Sequence, residues 1–527
     1  MILLAADVLL VFFLILLSNF HVLPLQLGDF IFFSILALAF ALYRPAWSFL
    51  LFSGTIMLEN INLAPPELGI AVRPYQFFAG ITILAIIIRL ATKRLNFRLA
   101  KLAWFDFLVI AMGIASFISS LSGENRSASL KQSVVFASFI FIYFLVRNFI
   151  QSKNDLKKVL PFFVGSSAIV MLYGIWQNMR FLHGMNSFEV MPGRPNATFV
   201  EADWYGIYLS LLLAIVYTLI FYFNQKNREL NNDAQIFNFK FLISKQFLIT
   251  KYQVLKTTLF IFLVLIFINL ILTVSRSAWL GAAVVTFAYL WIIFTDLSFK
   301  FRNWKWRETI REKLFIIGSL VLGILIVYGF HLTNFQLGNR IQSAGSGLQQ
   351  ITISCQAEES LPNVISSTDE LAKYNCRHIN LEDIDSEKAA GHFVTEIYRN
   401  DPNVKVRSEI YAKVWETIKA HPIFGIGFGQ IGSILGTDER GAGLNASNIF
   451  LEVWLGAGII GLLAFMAVWM YILFQGVKLF LHTDRAFGIF LILGFFALLI
   501  PNFFNSGIFL GILWMFFGIT FVESIEK

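Results

Sequence analysis

The stretch from Asn445 to Gly461 reads NASNIFLEVWLGAGIIG. Three short polar residues, Asn445, Ser447 and Asn448, stand at the mouth of an apolar run carrying Glu452, Gly456, Gly458 and Gly461. The run continues to about residue 474, long enough as a helix to cross a hydrocarbon core of about 30 Å. Similar windows recur along all 527 residues, of which 57% are apolar and only 14% charged. Soluble domains carry about 25% charged residues, so the composition excludes a soluble globular protein. The expected fold class is all-α: a polytopic membrane helical bundle of about 14 transmembrane helices. The spans fall near 4–20, 28–43, 46–59, 73–90, 103–121, 133–150, 159–179, 205–223, 257–274, 277–295, 314–331, 449–474, 486–504 and 506–523. The first of these lacks a basic n-region and a small-residue cleavage site, so it is expected to be a membrane helix and not a signal peptide.

The basic residues orient the bundle. Lys93, Arg94, Arg98 and Lys101 fall in one loop, and Arg147, Lys153, Lys157 and Lys158 in another. Lys226 to Lys256 form a third group; Lys300, Arg302, Lys305, Arg307, Arg311 and Lys313 form a fourth. These loops alternate in the span count and so share one face, which excess Lys and Arg mark as cytoplasmic. The same rule accounts for the net charge of +8, and no nucleic-acid partner is expected. The opposite face then receives a long polar insert, 332–447, between an N-terminal bundle (1–331) and C-terminal helices (448–527). An insert of that length is a natural place for function.

Both cysteines of the chain, Cys355 and Cys376, lie in the insert. On an oxidising face they are expected to form a disulfide; the alternative is two unrelated thiols. Residues 344–400 show no clear periodicity and read as decoration or partly disordered chain. Over 404–418, Val406, Ile410, Tyr411, Val414, Trp415 and Ile418 recur at helical spacing, so an amphipathic helix is expected on the membrane or the bundle. The segment HPIFGIGFGQ, His421 to Gln430, follows. It lacks a preceding strand and the G-x-G-x-x-G spacing of a dinucleotide loop. Its glycines suit a tight backbone path at the membrane interface, and Gly458 and Gly461 suit close helix packing.

Three arginines of the non-basic face stand out: Arg194 in GRPNATF, Arg276 in the turn SRSAWLG, and Arg407 at the start of the amphipathic helix. Arginine near membrane depth is costly without a partner or water, and its planar fork suits phosphate oxygens. The plainer reading pairs them with Glu201, Asp203 or Glu452. His421 is either a proton acceptor for a sugar hydroxyl or a helix-terminal residue before a Pro/Gly turn. Glu452 is a buried base, a partner for Arg276, or a first-turn acid favoured by the helix dipole. No Cys/His/carboxylate cluster has metal-ligand spacing, and no metal or cofactor is expected.

In RPNATFVEADWYGIYL, the SRSAWLG turn, the Trp415 helix leading to HPIFGIGFGQ, and NASNIFLEVWLGAGIIG, the chain resembles the O-antigen ligase and polymerase family of bacterial membrane glycosyltransferases, over roughly 160–475. The resemblance implies a metal-independent, inverting transfer of a glycan from undecaprenyl diphosphate to a lipid core, a growing polysaccharide or a protein. It implies a multi-pass protein of the bacterial cytoplasmic membrane, in contact with membrane lipids, with its active face extracytoplasmic. Arg194, Arg276 and Arg407 would hold the diphosphate, with Glu201, Asp203, Trp415 and Glu452 lining the substrate site. The family pattern is a histidine, then asparagine, nine residues and G-x-x-G. Here Asn448, Gly458 and Gly461 keep that spacing, but Ser447 stands at the histidine position. A serine hydroxyl is no base near neutral pH without its own activator. The competing expectations are a lipid or polysaccharide transporter, with midplane sites and broken helices, and an inactive family member.

Overall fold

In hydrocarbon every backbone N–H and C=O must be satisfied within the chain, which makes long apolar windows helical. A computed structural model describes residues 2–95, 97–123, 125–191, 193–233, 239–295, 305–333, 347–357, 362–379, 384–400, 402–437 and 443–522. Lys300, Arg302 and parts of the insert lie outside them. The helices before the insert are α1 (Ile2–Asn19), α2 (Leu27–Tyr43), α3 (Pro45–Thr55), α4 (Pro74–Ala91), α5 (Trp104–Ser122), α6 (Arg126–Phe149), α7 (Lys153–Leu182), α8 (Ala202–Asp233), α9 (Phe239–Leu272), α10 (Arg276–Thr295) and α11 (Trp306–Gly329). The insert holds β1 (Leu348–Cys355), β2 (Val364–Ile365), β3 (Cys376–His378), α12 (Ile384–Ala389), β4 (Phe393–Asn400), α13 (Pro402–Ala420) and α14 (Ile431–Leu435). The chain returns through α15 (Ile449–His482), α16 (Arg485–Asn502) and α17 (Gly511–Ile519).

The chain is an all-α polytopic membrane protein, but the helix count differs from the expected 14. Among the described residues, 10 helices are long and apolar enough to cross a membrane. The expected third span contains α3, only 11 residues or about 16 Å. Beyond it the backbone unwinds into buried Ile56 to Glu59. The N–H groups of Glu59 and Asn60 donate to the Thr198 carbonyl at 2.9 and 2.8 Å, and the Thr198 hydroxyl donates to the Met57 carbonyl at 2.6 Å. Protein partners thus replace the helical ladder. The expected last span likewise holds only the 9-residue α17, preceded by buried Ile508 and Leu510 with Phe509 partly buried between them. Between the eighth and ninth spans, α8 and α9 continue as helix well past their apolar windows.

Contacts between loops define two ends. The Ala100 N–H donates to Asn148 Oδ1 at 2.8 Å, Gln151 Nε2 to the Arg98 carbonyl at 3.0 Å, and Lys153 pairs with Asp484 at 2.7 Å. This is the basic end. Arg147, expected in a loop there, is buried within α6. It pairs with Asp106 at 2.8 Å, and Tyr143 donates to the same carboxylate at 2.5 Å. A buried guanidinium needs such a partner. At the opposite end, buried Glu59 accepts from Arg73 at 2.8 Å, from Tyr75 at 3.0 Å and from the Gly511 N–H at 2.8 Å. That network locks the unwound segment after α3 to the starts of α4 and α17.

The insert is more ordered than its sequence indicates. A four-stranded sheet runs β2-β4-β1-β3, with β1 antiparallel to β3 and β4, and β2 parallel to β4. Ile351, Ile353 and Cys355 alternate onto a small core with Ile365, Leu371, Cys376 and Ile397. Cys355 faces Cys376 across the β1–β3 register, and the two form a disulfide. In α13, Ile410, Val414 and Ile418 are buried against the main core while Val406 and Trp415 are exposed. The helix packs on the bundle along a stripe narrower than expected.

α15 is broken. Gly458 has φ 65° and ψ −172°, a backbone open to glycine but costly for other residues. The segment from Ile423 to Gly427 fills the break. The Ile426 and Gly427 N–H groups donate to the Leu455 carbonyl at 2.8 and 3.1 Å, and the Ile459 N–H donates to the Ile423 carbonyl at 3.0 Å. Gly458 therefore serves a bend and not helix packing. Gly461 does face α5, where a Cβ would lie 3.7 Å from that of Ala115.

Candidate functional site

The site at the non-basic end is built on the turn between α9 and α10. The turn closes when the Trp279 indole N–H donates to the Leu270 carbonyl at 2.7 Å. Val274 is forced to φ 50°, a genuine outlier for a β-branched residue. Ser275 then starts α10: its carbonyl takes the Trp279 N–H at 3.0 Å and its hydroxyl bonds that of Ser277 at 3.1 Å. Arg276 is half-buried as the first residue of this 20-residue helix. The end of a helix that presents N–H groups carries about half a positive charge and suits anions.

Arg194 reaches the same turn from the loop between α7 and α8. Its Nε donates to the Thr273 carbonyl at 3.1 Å and its Nη2 pairs with Asp203 at 3.3 Å. Its loop is held by side-chain amides: Gln177 Oε1 accepts the Ala197 N–H at 2.8 Å and Asn196 Oδ1 accepts the Val190 N–H at 3.1 Å. Glu201 lies two residues before Asp203, and its carbonyl accepts the Tyr205 N–H at 3.1 Å.

The segment after α16 joins these parts to the insert. Asn505 Nδ2 donates to the Ser277 hydroxyl at 2.9 Å. The Phe504 carbonyl accepts Arg407 Nη2 at 3.3 Å, and the guanidinium lies 5.9 Å from the centre of the Phe504 ring. The Phe503 carbonyl accepts Asn448 Nδ2 at 3.2 Å. Asn448 is also the N-cap of α15, its Oδ1 taking the N–H groups of Phe450 and Leu451 at 2.9 and 3.2 Å. Such a cap contributes about 1 kcal/mol. Buried Glu452 reaches back to accept the Ala446 N–H at 2.7 Å. It closes the turn that holds Ser447 at φ 49°, where the Tyr411 hydroxyl donates to the Ser447 carbonyl at 3.3 Å. Among the described residues the Ser447 hydroxyl has no hydrogen-bond partner, so no base contacts it.

Arg194 in the loop before α8 and Arg407 in α13 are thus linked, through the turn before α10 and through Phe503–Asn505, to Asp203, Ser447, Asn448 and Glu452, and Arg276 starts the helix that this turn begins. Ala197, Val274 and Ser447, one beside each approach to the site, have left-handed backbones. Strained non-glycine residues of this kind cluster at functional sites. His421 and Trp415 are not brought in. The Trp415 ring lies 6.0 Å from that of Trp454, whose indole donates to the Pro422 carbonyl at 2.9 Å. Trp454 is six residues along α15 from Asn448, about 9 Å. The packing of Ile423–Gly427 into the break of α15 draws His421 to that depth, where it is exposed.

The sequence reading missed Ser277, Asn505 and the carbonyls of Phe503 and Phe504. The run PNFFNSG after Pro501 carried the usable signal, since Asn, Ser and Gly mark a turn. Among the described residues no three His, Cys, Asp or Glu side chains gather as a metal site.

The fold and these residues define a polytopic helical membrane protein with an arginine-bearing polar site at one end of its bundle. Residues 261–466 match the family model described as O-antigen ligase. The match takes in Arg276, Arg407, Ser447 and Asn448 and stops short of Arg194 and Asn505. It supports glycan transfer in polysaccharide biosynthesis as the class of activity. No curated protein matches the chain.

Proposed function

We propose that the protein transfers a glycan from an undecaprenyl-diphosphate carrier to an acceptor hydroxyl on the extracytoplasmic face of the bacterial cytoplasmic membrane. The carrier's polyprenyl tail would lie between helices. The insert 332–447 would meet the acceptor, a lipid core, polysaccharide or protein. The observation that carries this reading is the tethering of Arg194, Arg276 and Arg407 around Phe503–Asn505 and the start of α10.

The chemistry follows from the charges. The acceptor oxygen attacks the anomeric carbon, the bond to the diphosphate oxygen breaks with its electron pair, and the configuration inverts. The acceptor proton leaves to water or to the departing diphosphate. Negative charge grows on the leaving group, where the guanidinium groups of Arg194, Arg276 and Arg407 and the first N–H groups of α10 would stabilise it. Each preorganised donor of this kind contributes roughly 3 kcal/mol to transition-state stabilisation. A general base would add about 10²–10⁴-fold, and none touches Ser447 among the described residues. Leaving-group stabilisation therefore carries the reaction, without a metal. A carrier protein would share the broken helix at Gly458, but there the Leu455 carbonyl is occupied by the Ile426 and Gly427 N–H groups.

Transfer from a defined undecaprenyl-diphosphate oligosaccharide, with the protein in lipid nanodiscs, tests the reading. Wild type should form product, Arg276→Ala should lose about 10²–10³-fold in kcat, and Ser447→His should gain. The bare Ser447 hydroxyl favours a second reading, a binding scaffold without turnover. Donor binding with no product from wild type or Ser447→His would select it and overturn catalysis.

A further inference from the structure

A groove of about 200 Å³ opens at the basic end, lined by α7, α8, α16 and α17. Its mouth is formed by Lys153 and Lys157 of α7, Tyr222 of α8 and Asp484 before α16. Its deep end reaches Phe163 of α7 and Leu211 of α8. Those limits span about 15 Å of α7 and about 16 Å of α8. Half of a hydrocarbon core is about 15 Å, so the groove is one leaflet deep. Between mouth and deep end the lining is hydrocarbon: half-buried Leu160 and Ile215 on the walls, buried Ile512, Met515 and Phe516 behind them.

The charges at the mouth divide into paired and unpaired. Asp484 caps α16 by accepting the Phe487 N–H at 3.1 Å, and it pairs with Lys153 at 2.7 Å, joining α7 to α16. Lys158, outside the lining, pairs with Asp155 at 3.0 Å. Arg485, next to the lining, lies over the Phe480 ring at 4.7 Å. Lys157 is exposed and forms no ion pair among the described residues; its ammonium lies 5.9 Å from the centre of the Tyr222 ring. The lining side chains therefore carry one net positive charge, at the rim of an apolar slot. An acyl chain fits the slot, and a single phosphate charge complements the rim. Basic pockets between membrane helices bind anionic head groups in this way.

We propose that this groove binds a monoanionic phospholipid from the leaflet at the basic end, with its phosphate at Lys157 and one acyl chain against Leu160, Ile215 and Met515. The site is independent of the glycan-transfer reading, in which the carrier's diphosphate lies at the opposite end of the bundle. It also gives α16 a second function. That helix runs from the lipid site at Asp484 to the Phe503–Asn505 segment that holds Arg407 and Asn448.

Native mass spectrometry of the full chain tests the site by titration with phosphatidylglycerol and phosphatidylcholine of identical acyl chains. The first phosphatidylglycerol should bind about fivefold more tightly, the worth of one lysine near a lipid surface. Lys157→Ala should remove that preference and leave phosphatidylcholine binding unchanged. Lys158→Ala, outside the groove, should keep the preference. Leu160→Trp fills the slot and should weaken both lipids. In nanodiscs, a phosphatidylglycerol with a diazirine at the end of its acyl chain should label Phe163 or Leu211 in preference to exposed Phe287 of α10. Lys157→Ala and the labelling change nothing inside the fold, so the test holds even where Leu160→Trp does not fold. Equal affinity of wild type for the two lipids, or equal labelling of Phe287 and the deep end, overturns the site and leaves ordinary lipid cover. Undecaprenyl phosphate displacing the label better than phosphatidylglycerol at the same concentration overturns it in favour of a carrier tail.

Discussion

Gly458→Ala tests the break on which the position of the Asn448 cap depends. Two costs add at this residue. An alanine at φ 65° and ψ −172° occupies backbone space open essentially to glycine alone, at about 1–3 kcal/mol. Its Cβ would also fall 2.1 Å from the Ile423 carbonyl oxygen and 2.8 Å from the Phe424 carbonyl carbon. Those are backbone atoms, unable to swing aside, and forced overpacking costs about 1–3 kcal/mol. The sum is roughly 2–6 kcal/mol, a large share of a folded protein's margin. Gly80→Ala is the control: its Cβ would meet nothing within 4 Å, and helix propensity favours alanine by about 1 kcal/mol. Thermal inactivation in nanodiscs and hydrogen exchange at the Ile426, Gly427 and Ile459 amides are the readouts. Gly458→Ala should lower the midpoint and speed exchange at all three amides, while Gly80→Ala should do neither. Asn tolerates positive φ only in the left-handed helical region, with ψ of about +47°, and not at the ψ of −172° found here, so Gly458→Asn should recover none of the loss. Full recovery with Asn, or unchanged exchange in the alanine variant, would refute the close approach.

Asn448→Ala removes the cap of α15 and its bond to Phe503, and should cost about 1–2 kcal/mol by unfolding midpoint. Replacing the Cys355–Cys376 disulfide by two serines frees a loop with sequence separation 21, worth about 3 kcal/mol on the chain-entropy account. Exchange should rise across β1 and β3 and stay unchanged in α15. Hydrogen bonds from Ser354 and His392, and the nearby Arg377 guanidinium, hold the Glu387 carboxyl down at about 2. Its contribution is present above the unfolded carboxyl pKa of about 4.3 and is lost as pH falls through the folded value. Exchange at β1 should therefore rise between pH 4 and 2, and Glu387→Gln should flatten that rise.

The sequence revealed the bundle because apolar windows as long as those of α5 to α8 have no other stable form in lipid. It also revealed the buried stripe Ile410, Val414 and Ile418, whose spacing is helical. It did not reveal where helices stop inside the membrane. The unwinding after α3 and the break at Gly458 are satisfied by Thr198 and by Ile423–Gly427, partners distant in sequence. The sheet escaped notice because its core rests on short alternations such as Ile351, Ile353 and Cys355. The three arginines could be named for their chemistry. The hub that joins them could not, because it works through the backbone carbonyls of Phe503 and Phe504, which have no side-chain signature. Of the two readings of His421, the structure has it directly after the last residue of α13 and before Pro422, and only the folded loop shows that Pro422 meets Trp454 and not Asn448.

The most direct measurement is the affinity of undecaprenyl diphosphate for the protein in nanodiscs, by native mass spectrometry. Wild type should bind the diphosphate more tightly than the monophosphate. Arg194→Ala, Arg276→Ala and Arg407→Ala should each weaken it about 10–100-fold, the loss of roughly 1.5–3 kcal/mol for a charge-assisted contact. Equal affinity in wild type and in the triple variant would contradict a lipid diphosphate site among these arginines.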